Sequence, residues 1–173
     1  SYATSYIPTQ GSAVTRSGDV CNNGGNDQVI NSTEGVLYFE GSALTSTQAT
    51  TIMISISNGG SNNIKFGYQQ GTNVFFVESS GTINGIGIYS VPIDSLINSK
   101  IALSYKENDV KLYINGVLAA TDTVFTAFAS NTFNTLRFDS PVNAVSNFYA
   151  NVKDLRVYNT ALTDQELINL TTI

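Results

Sequence analysis

Short runs in which apolar and polar residues alternate recur about every ten positions along the chain. Each run is bounded by Gly, Asn, Ser or Asp, and alternation is typical of β-strands because successive side chains of a strand point to opposite faces of a sheet. The pattern predicts strands over residues 13–16, 35–43, 51–57, 63–69, 74–78, 86–89, 100–106, 110–115, 117–122, 134–139 and 148–158. About ten strands with frequent turn residues indicate an all-β, two-sheet antiparallel sandwich.

The alternation also predicts which side chains fill the core. In two neighbouring strands the apolar face carries Ile101, Leu103, Tyr105, Val110, Leu112 and Ile114. Residues 107–109 predict a hairpin loop between these strands. Asn115 and Gly116 predict the next hairpin, because both tolerate the positive φ angles of a type I′ turn. Three consecutive strands therefore form a meander over residues 100–122.

One short helix is predicted near the end of the chain. Thr163 and Glu166 have the spacing of a capping box, in which each side chain bonds to the backbone amide of the other residue. The apolar residues Leu162, Leu167 and Leu170 then lie on one side. We expect a helix over residues 164–170 that packs against the sandwich.

Composition and charge narrow the range of partners. Charged residues make up only 12% of the chain, about half of the usual share, while hydrophobic residues make up 42%. The net charge is -5 and the eight Lys and Arg residues do not cluster, which argues against nucleic acid as a partner. No apolar run approaches the roughly 18 residues of a membrane span, so no membrane insertion is expected.

We expect one domain over residues 1–173, cut from a longer chain, since the sequence begins without Met.

Several segments resemble one known superfamily. Residues 112–118, LYINGVL, resemble the strand, Asn-Gly turn and strand of laminin G-like and concanavalin A-like jelly-roll domains. Residues 152–159 and 161–167 are similar to the last strand and terminal helix of that superfamily. Residues 5–9 and 11–16 are similar to a segment that opens such domains in bacteriophage tail proteins. The resemblance implies a jelly roll with one concave sheet, often used to bind cell-surface glycans, in a virion tail or an extracellular protein.

Residues suited to catalysis are scarce. The chain has no His, so the usual general base and the commonest zinc ligand are missing. The paired carboxylates of the superfamily's glucanases, in a Glu-x-Asp-x-x-Glu strand, do not occur either. We therefore expect no enzyme. A glycosidase or lyase with a divergent site is an alternative with little support in the sequence.

A calcium site is conceivable on one Gly- and Asn-rich loop. Ca²⁺ takes carboxylate, amide and backbone oxygens, and some laminin G-like domains carry one. Asn22, Asn26 and Asp27 are the candidates. A solvated polar loop is the simpler interpretation of the same residues.

A glycan site needs exposed aromatic rings beside polar side chains, and Tyr combines a flat apolar body with a polar tip. If the apolar members of the strands face the core, polar and aromatic neighbours stand outside. The predicted carbohydrate-binding residues are Tyr38, Glu40, Arg137, Asp139, Tyr149 and Asn151, with Lys153 a comparable candidate. Alternatively, such tyrosines fill a sheet surface, and Arg137 forms a charge pair with Asp139 or Glu40.

These observations favour a non-catalytic carbohydrate-binding or host-receptor-binding module of a phage tail fibre, a tail spike or a secreted multidomain protein. Its partner would be a cell-surface or extracellular polysaccharide, and the parent protein could be a homotrimer. The alternative is a structural or oligomerisation domain of a virion or cell-surface protein, which would bury a flat apolar patch between copies.

Overall fold

Ten strands and one helix make up the described part of the chain in a computed structural model. The structure describes residues 11, 25–45, 51–142 and 146–173, with only the backbone given for 89 and 90. The elements are β1 (Gly35–Ala43), β2 (Ile52–Ser57), β3 (Asn63–Tyr68), β4 (Val74–Ser80), β5 (Gly87–Pro92), β6 (Ser99–Tyr105), β7 (Val110–Ile114), β8 (Val117–Asp122), β9 (Thr135–Arg137), β10 (Ala150–Tyr158) and α1 (Asp164–Thr171).

The strands form two five-stranded antiparallel sheets. Sheet A has the order β10-β1-β6-β7-β8, and sheet B has the order β5-β4-β3-β2-β9. The chain passes between the sheets four times, after β1, β5, β8 and β9. The predicted all-β sandwich with a short C-terminal helix is confirmed.

Apolar side chains from both sheets fill the space between them. The core includes the six residues predicted from β6 and β7, with Ile114 only partly buried at its border. Aromatic rings cross the gap: Phe39 of sheet A meets Phe148 edge-on at 5.3 Å between ring centroids, and Tyr68 of sheet B stacks near the same ring at 6.3 Å. The ring of Phe148 thus joins the two sheets just before β10 begins.

The predicted Asn115-Gly116 turn is confirmed, and one predicted strand is shorter than expected. Asn115 and Gly116 have φ angles of 51° and 80°, as a type I′ hairpin requires. The strand predicted over residues 134–139 is shorter, because Ser55 Oγ donates to the Asp139 carbonyl at 2.9 Å and Phe148 N to the Phe138 carbonyl at 2.8 Å. The strand predicted over residues 13–16 lies outside the described residues.

Helix α1 lies on the outer face of sheet A. The capping box is confirmed: the amide of Thr163 donates to Glu166 Oε2 at 2.8 Å, and the Glu166 amide donates to Thr163 Oγ1 at 3.4 Å. Leu167 is fully buried in a second apolar cluster with Val36, Tyr38, Ala102 and Tyr113. These four strand residues face away from the main core, as alternation predicts, yet the helix shields them from water.

Within the described residues, no helix is long and apolar enough to cross a membrane.

Removing the central contact of α1 tests its contribution to stability. We expect Leu167→Ala to lower the free energy of unfolding by about 3 kcal/mol, because it leaves a cavity between the helix and sheet A. Urea unfolding at neutral pH measures the change. Ile173→Ala is the control, since this side chain is 76% exposed and its loss should cost less than about 0.5 kcal/mol. Equal effects of the two substitutions would contradict the packing of α1.

The capping box also predicts a pH dependence. The hydrogen bond from the Thr163 hydroxyl, followed by that from its amide, lowers the pKa of Glu166. A carboxyl with a lowered folded-state pKa stabilises the fold above its unfolded-state pKa of about 4.3, and this contribution disappears as the pH falls further. Glu166→Gln should therefore lose less stability than the wild type between pH 6 and pH 3. Thr163→Ala should flatten the profile similarly, and an unchanged profile in both variants would refute the assignment.

Candidate functional site

The outer face of sheet B carries a row of polar side chains. The strand register places Ser55 of β2 beside Arg137 of β9 on one side and beside Lys65 of β3 on the other. Lys65 is in turn opposite Glu78 of β4. The apolar neighbours of these residues point inward, so alternation directs all four side chains outward. Four adjacent strands thus contribute to one polar row.

A depression of about 260 Å³ lies beside this row. Its lining residues come from three adjacent strands and their ends, and they are Thr51, Met53, Lys65, Gln69, Phe76 and Glu78. Met53 and Phe76 are opposite Gly67, which stands between them in the register. A Cβ atom on Gly67 would collide with the Ile52 carbonyl oxygen, so this position cannot carry a side chain without a shift of the backbone. The depression therefore combines apolar and polar walls.

Two ion pairs lie on this face, and the residues of the first line the depression. Lys65 Nζ lies 2.6 Å from Glu78 Oε1, with both side chains partly exposed. Arg137 Nε lies 2.7 Å from Asp139 Oδ1, and its Nη2 donates a hydrogen bond to Oδ2 at 2.8 Å. Oδ1 accepts no hydrogen bond in the structure, so its contact with Nε is ionic only. Each cation on this face is thus matched by a carboxylate.

The residues predicted for glycan binding divide between the two sheets. Arg137 is opposite Ser55 on the outer face of sheet B, where it pairs with Asp139. Tyr38 and Glu40 belong to β1 of sheet A, and Asn151 is opposite Ser42 in the same sheet. The prediction did not assign strands to sheets, and the two outer faces point in opposite directions. The six residues therefore cannot form one site.

Tyr38 is not the exposed ring that the sequence suggested. It is only 2% exposed, because α1 covers its part of sheet A. Its hydroxyl donates to Glu40 Oε2 at 3.3 Å, and the Arg156 guanidinium lies 5.5 Å from the ring centroid. Burial, followed by the charge of Glu40, raises the pKa of Tyr38 to about 12. The ring offers no free surface for stacking.

The other candidates in and just before the strands of sheet A are more accessible. Tyr149 is 59% exposed, and its hydroxyl accepts a hydrogen bond from Asn147 Nδ2 at 3.3 Å. Asn151 is exposed as well. Glu40 accepts a hydrogen bond from Asn98 Nδ2 at 3.0 Å and lies 3.8 Å from Lys153 Nζ. A role of these residues in binding stays a prediction.

The proposed calcium loop is only partly described, since Asn22 lies outside the described residues. Asn26 Oδ1 accepts hydrogen bonds from the amides of Gln28 and Val29, at 3.0 and 3.2 Å. This side chain therefore closes a turn. Across the described ranges, no three His, Cys, Asp or Glu residues are grouped as metal ligands. The contacts of Asn26 agree with the simpler interpretation of a polar loop.

The sequence reasoning overlooked Lys65, Gln69, Phe76 and Glu78. The signal was present: Lys65 alternates with inward-facing residues of β3, and Glu78 follows the inward-facing Val77 of β4. Alternation in β3 and β4, as in β1, places both charges on an outer face. Only the register shows that they are neighbours.

Comparison with known proteins agrees with this architecture. The sequence profile described as the concanavalin A-like lectin/glucanases superfamily, Laminin_G_3, matches residues 28–168. The chain belongs to this superfamily. A search of curated protein sequences finds no match to it.

Solved structures with the same fold include sugar-binding modules. The chain resembles the CBM40 of a Ruminococcus gnavus IT-sialidase bound to α2,6-sialyllactose, with a TM-score of 0.66, 17% identity and coverage of 87% of this chain and 93% of that one. It also resembles domain 4 of AbnA, a GH43 extracellular arabinanase from Geobacillus stearothermophilus in complex with arabinotriose, with a TM-score of 0.65, 18% identity and coverage of 90% and 82%. At these identities the likeness establishes the fold of this superfamily member.

The position of Gly67 in the depression gives a test of its geometry. We expect Gly67→Ala to destabilise the protein by about 1–3 kcal/mol, because the added Cβ atom forces β2 and β3 apart. Gly60→Ala is the matched control, since its Cβ atom would find its nearest neighbour, Asn58 Oδ1, at 3.5 Å. Thermal and urea unfolding of both variants measure the difference. A Gly67→Ala protein as stable as the control would contradict the described approach of the strands.

Proposed function

We propose that this domain is a non-catalytic carbohydrate-binding module that holds its ligand on the outer face of sheet B. The proposal depends on the depression in which Met53 and Phe76 stand beside Lys65, Glu78 and Gln69.

The chemistry of a sugar suits these walls. A saccharide presents apolar C–H surfaces and a ring of hydroxyl groups, and binding sites commonly combine an apolar surface with a few placed polar groups. The Phe76 ring and the Met53 thioether are mostly buried, at 5% and 7% exposure, so they offer the C–H groups of a sugar a small apolar floor and not an open stacking platform. Glu78 can accept hydrogen bonds from hydroxyls, and Lys65 and Gln69 can donate to them.

The similar structures lend support. Two of them, the sialidase CBM40 and the arabinanase domain, were solved with an oligosaccharide, and both share most of their length with this chain. The fold is thus compatible with sugar binding at this size of domain. Which sugar this chain binds does not follow from the fold.

The carboxylates of this face support the non-catalytic part of the proposal. Glycoside hydrolysis commonly needs two carboxyl groups that flank the scissile bond. Glu78 and Asp139 are instead each held in an ion pair with a cation of their own. They are suited to accepting hydrogen bonds.

We further propose that the domain works outside the cell, at the tail of a virion or in a secreted multidomain protein, where its parent chain forms a homotrimer. The support is the resemblance of residues 5–9 and 11–16 to a phage tail segment, together with a low share of charged residues, 12% of the chain. Light scattering of the parent protein would measure the number of chains.

A glycan array followed by calorimetry tests the binding proposal. We expect the wild type to bind at least one oligosaccharide. Lys65→Met and Phe76→Ala should each weaken that binding by about tenfold or more, which corresponds to about 1.4 kcal/mol for a lost hydrogen bond or apolar contact. Lys106→Met, a matched loss of charge on the β6–β7 hairpin, should bind as the wild type does. Thermal unfolding confirms that each variant is folded.

Other results would redirect the proposal. Loss of binding in Tyr149→Ala and Asn151→Ala, with sheet B variants unaffected, would move the site to sheet A. Absence of binding to every saccharide, together with a stable trimer in solution, would favour the structural or oligomerisation domain instead.

A further inference from the structure

We infer that the depression on sheet B selects uncharged saccharides over acidic ones, because each of the two cations on that face, Lys65 and Arg137, is already paired with a carboxylate. This inference rests on the proposed function and specifies the chemical class of its ligand. A sugar bound on this face would lie closest to the charged side chains of sheet B.

The two ion pairs are close and well formed. Lys65 and Glu78 are opposite each other in β3 and β4, and their charged atoms lie 2.6 Å apart. Arg137 and Asp139 are two residues apart in sequence, and the guanidinium reaches both carboxylate oxygens at 2.7 and 2.8 Å. No other charged residue belongs to β2, β3, β4, β5 or β9. The strands of this face, with Asp139 at their edge, carry no net charge.

An acidic sugar would gain little binding free energy from a face whose cations are already paired. A sialic or uronic acid is held best by an Arg or Lys that makes a charge-assisted hydrogen bond to its carboxylate. Here that group would also meet Glu78 or Asp139 within a few ångströms, and repulsion from these charges offsets the attraction. Displacing either carboxylate from its cation would leave a partly buried charge without a partner, which is costly.

A neutral sugar meets no such conflict. Its hydroxyls can donate to the carboxylates and accept from the ammonium or guanidinium without breaking either ion pair. Charge-assisted hydrogen bonds of this kind are stronger than those between neutral groups. The ion pairs therefore act as fixed donors and acceptors for uncharged hydroxyl groups.

The charges elsewhere in the chain also disfavour an acidic ligand. The net charge of -5 disfavours approach of a polyanion. On sheet A, Lys111 contacts Asp109 and Asp164, and Arg156 contacts Asp154. Outside the described residues the sequence holds one basic and one acidic residue, Arg16 and Asp19, which add no net charge. This chain shares its fold with a module that was solved with sialyllactose, but the shared fold does not mean that this chain binds an acidic sugar.

Paired ligands that differ only in charge test the inference. The probes are trigalacturonic acid and its methyl ester, 3′-sialyllactose and its methyl ester, and neutral arabinan and glucan oligosaccharides, all titrated by calorimetry at low salt. We expect the wild type to bind its best neutral ligand at least tenfold more tightly than any acidic probe. Glu78→Gln and Asp139→Asn should each shift the ratio of acid to ester affinities about tenfold toward the acid, because each frees one cation.

The controls separate this inference from the proposed function. Asp109→Asn removes one carboxylate from beside Lys111 on sheet A, far from the proposed site, and should leave the ratio unchanged. Tight binding of an acidic probe by the wild type, abolished in Lys65→Met, would overturn the inference while supporting the site. Folded Glu78→Gln and Asp139→Asn proteins with an unchanged ratio would also overturn it. Binding of no probe and of no glycan on a broad array would instead reject the proposed function.

Discussion

Burial of one face of every strand between sheets A and B is the interaction on which the rest of this structure depends. The chain has one cysteine, so no intrachain disulfide can replace this burial. Rings such as Phe39, Phe66 and Phe75 are fully buried, and Phe148 contacts rings from both sheets. Because side chains alternate along a strand, filling the gap with apolar groups determines which residues face outward. The polar row on sheet B is therefore a consequence of the core.

The outer faces of sheets A and B differ in whether a helix covers them. On sheet A, α1 packs Leu167 over Val36, Ala102 and Tyr113, so part of that face becomes a second apolar cluster. No helix covers sheet B among the described residues, and its face retains the depression beside Lys65 and Glu78. A short helix with a capping box thus covers part of one outer face, while no described helix covers the other.

In the proposed site, the ion pairs of sheet B contribute more to recognition than to stability. Partly exposed pairs of this kind contribute about 0–1 kcal/mol to folding, which is small beside the burial of the core. Their effect on a ligand is larger, because they neutralise the face while keeping donors and acceptors close to an apolar wall. A binding surface with the same fold but unpaired cations would favour a different class of sugar.

The sequence by itself determined most strands of the described part of the chain, the core residues of β6 and β7, the Asn115-Gly116 turn and the capped helix. Each of these depends on local alternation or on turn and cap chemistry within a few residues. Only the tertiary structure decided the site. It placed Tyr38 under α1 and separated it from Arg137, and it brought Lys65 beside Glu78. Assignment of strands to sheets and the register between them depend on contacts between distant residues, and a local pattern carries no information about those contacts.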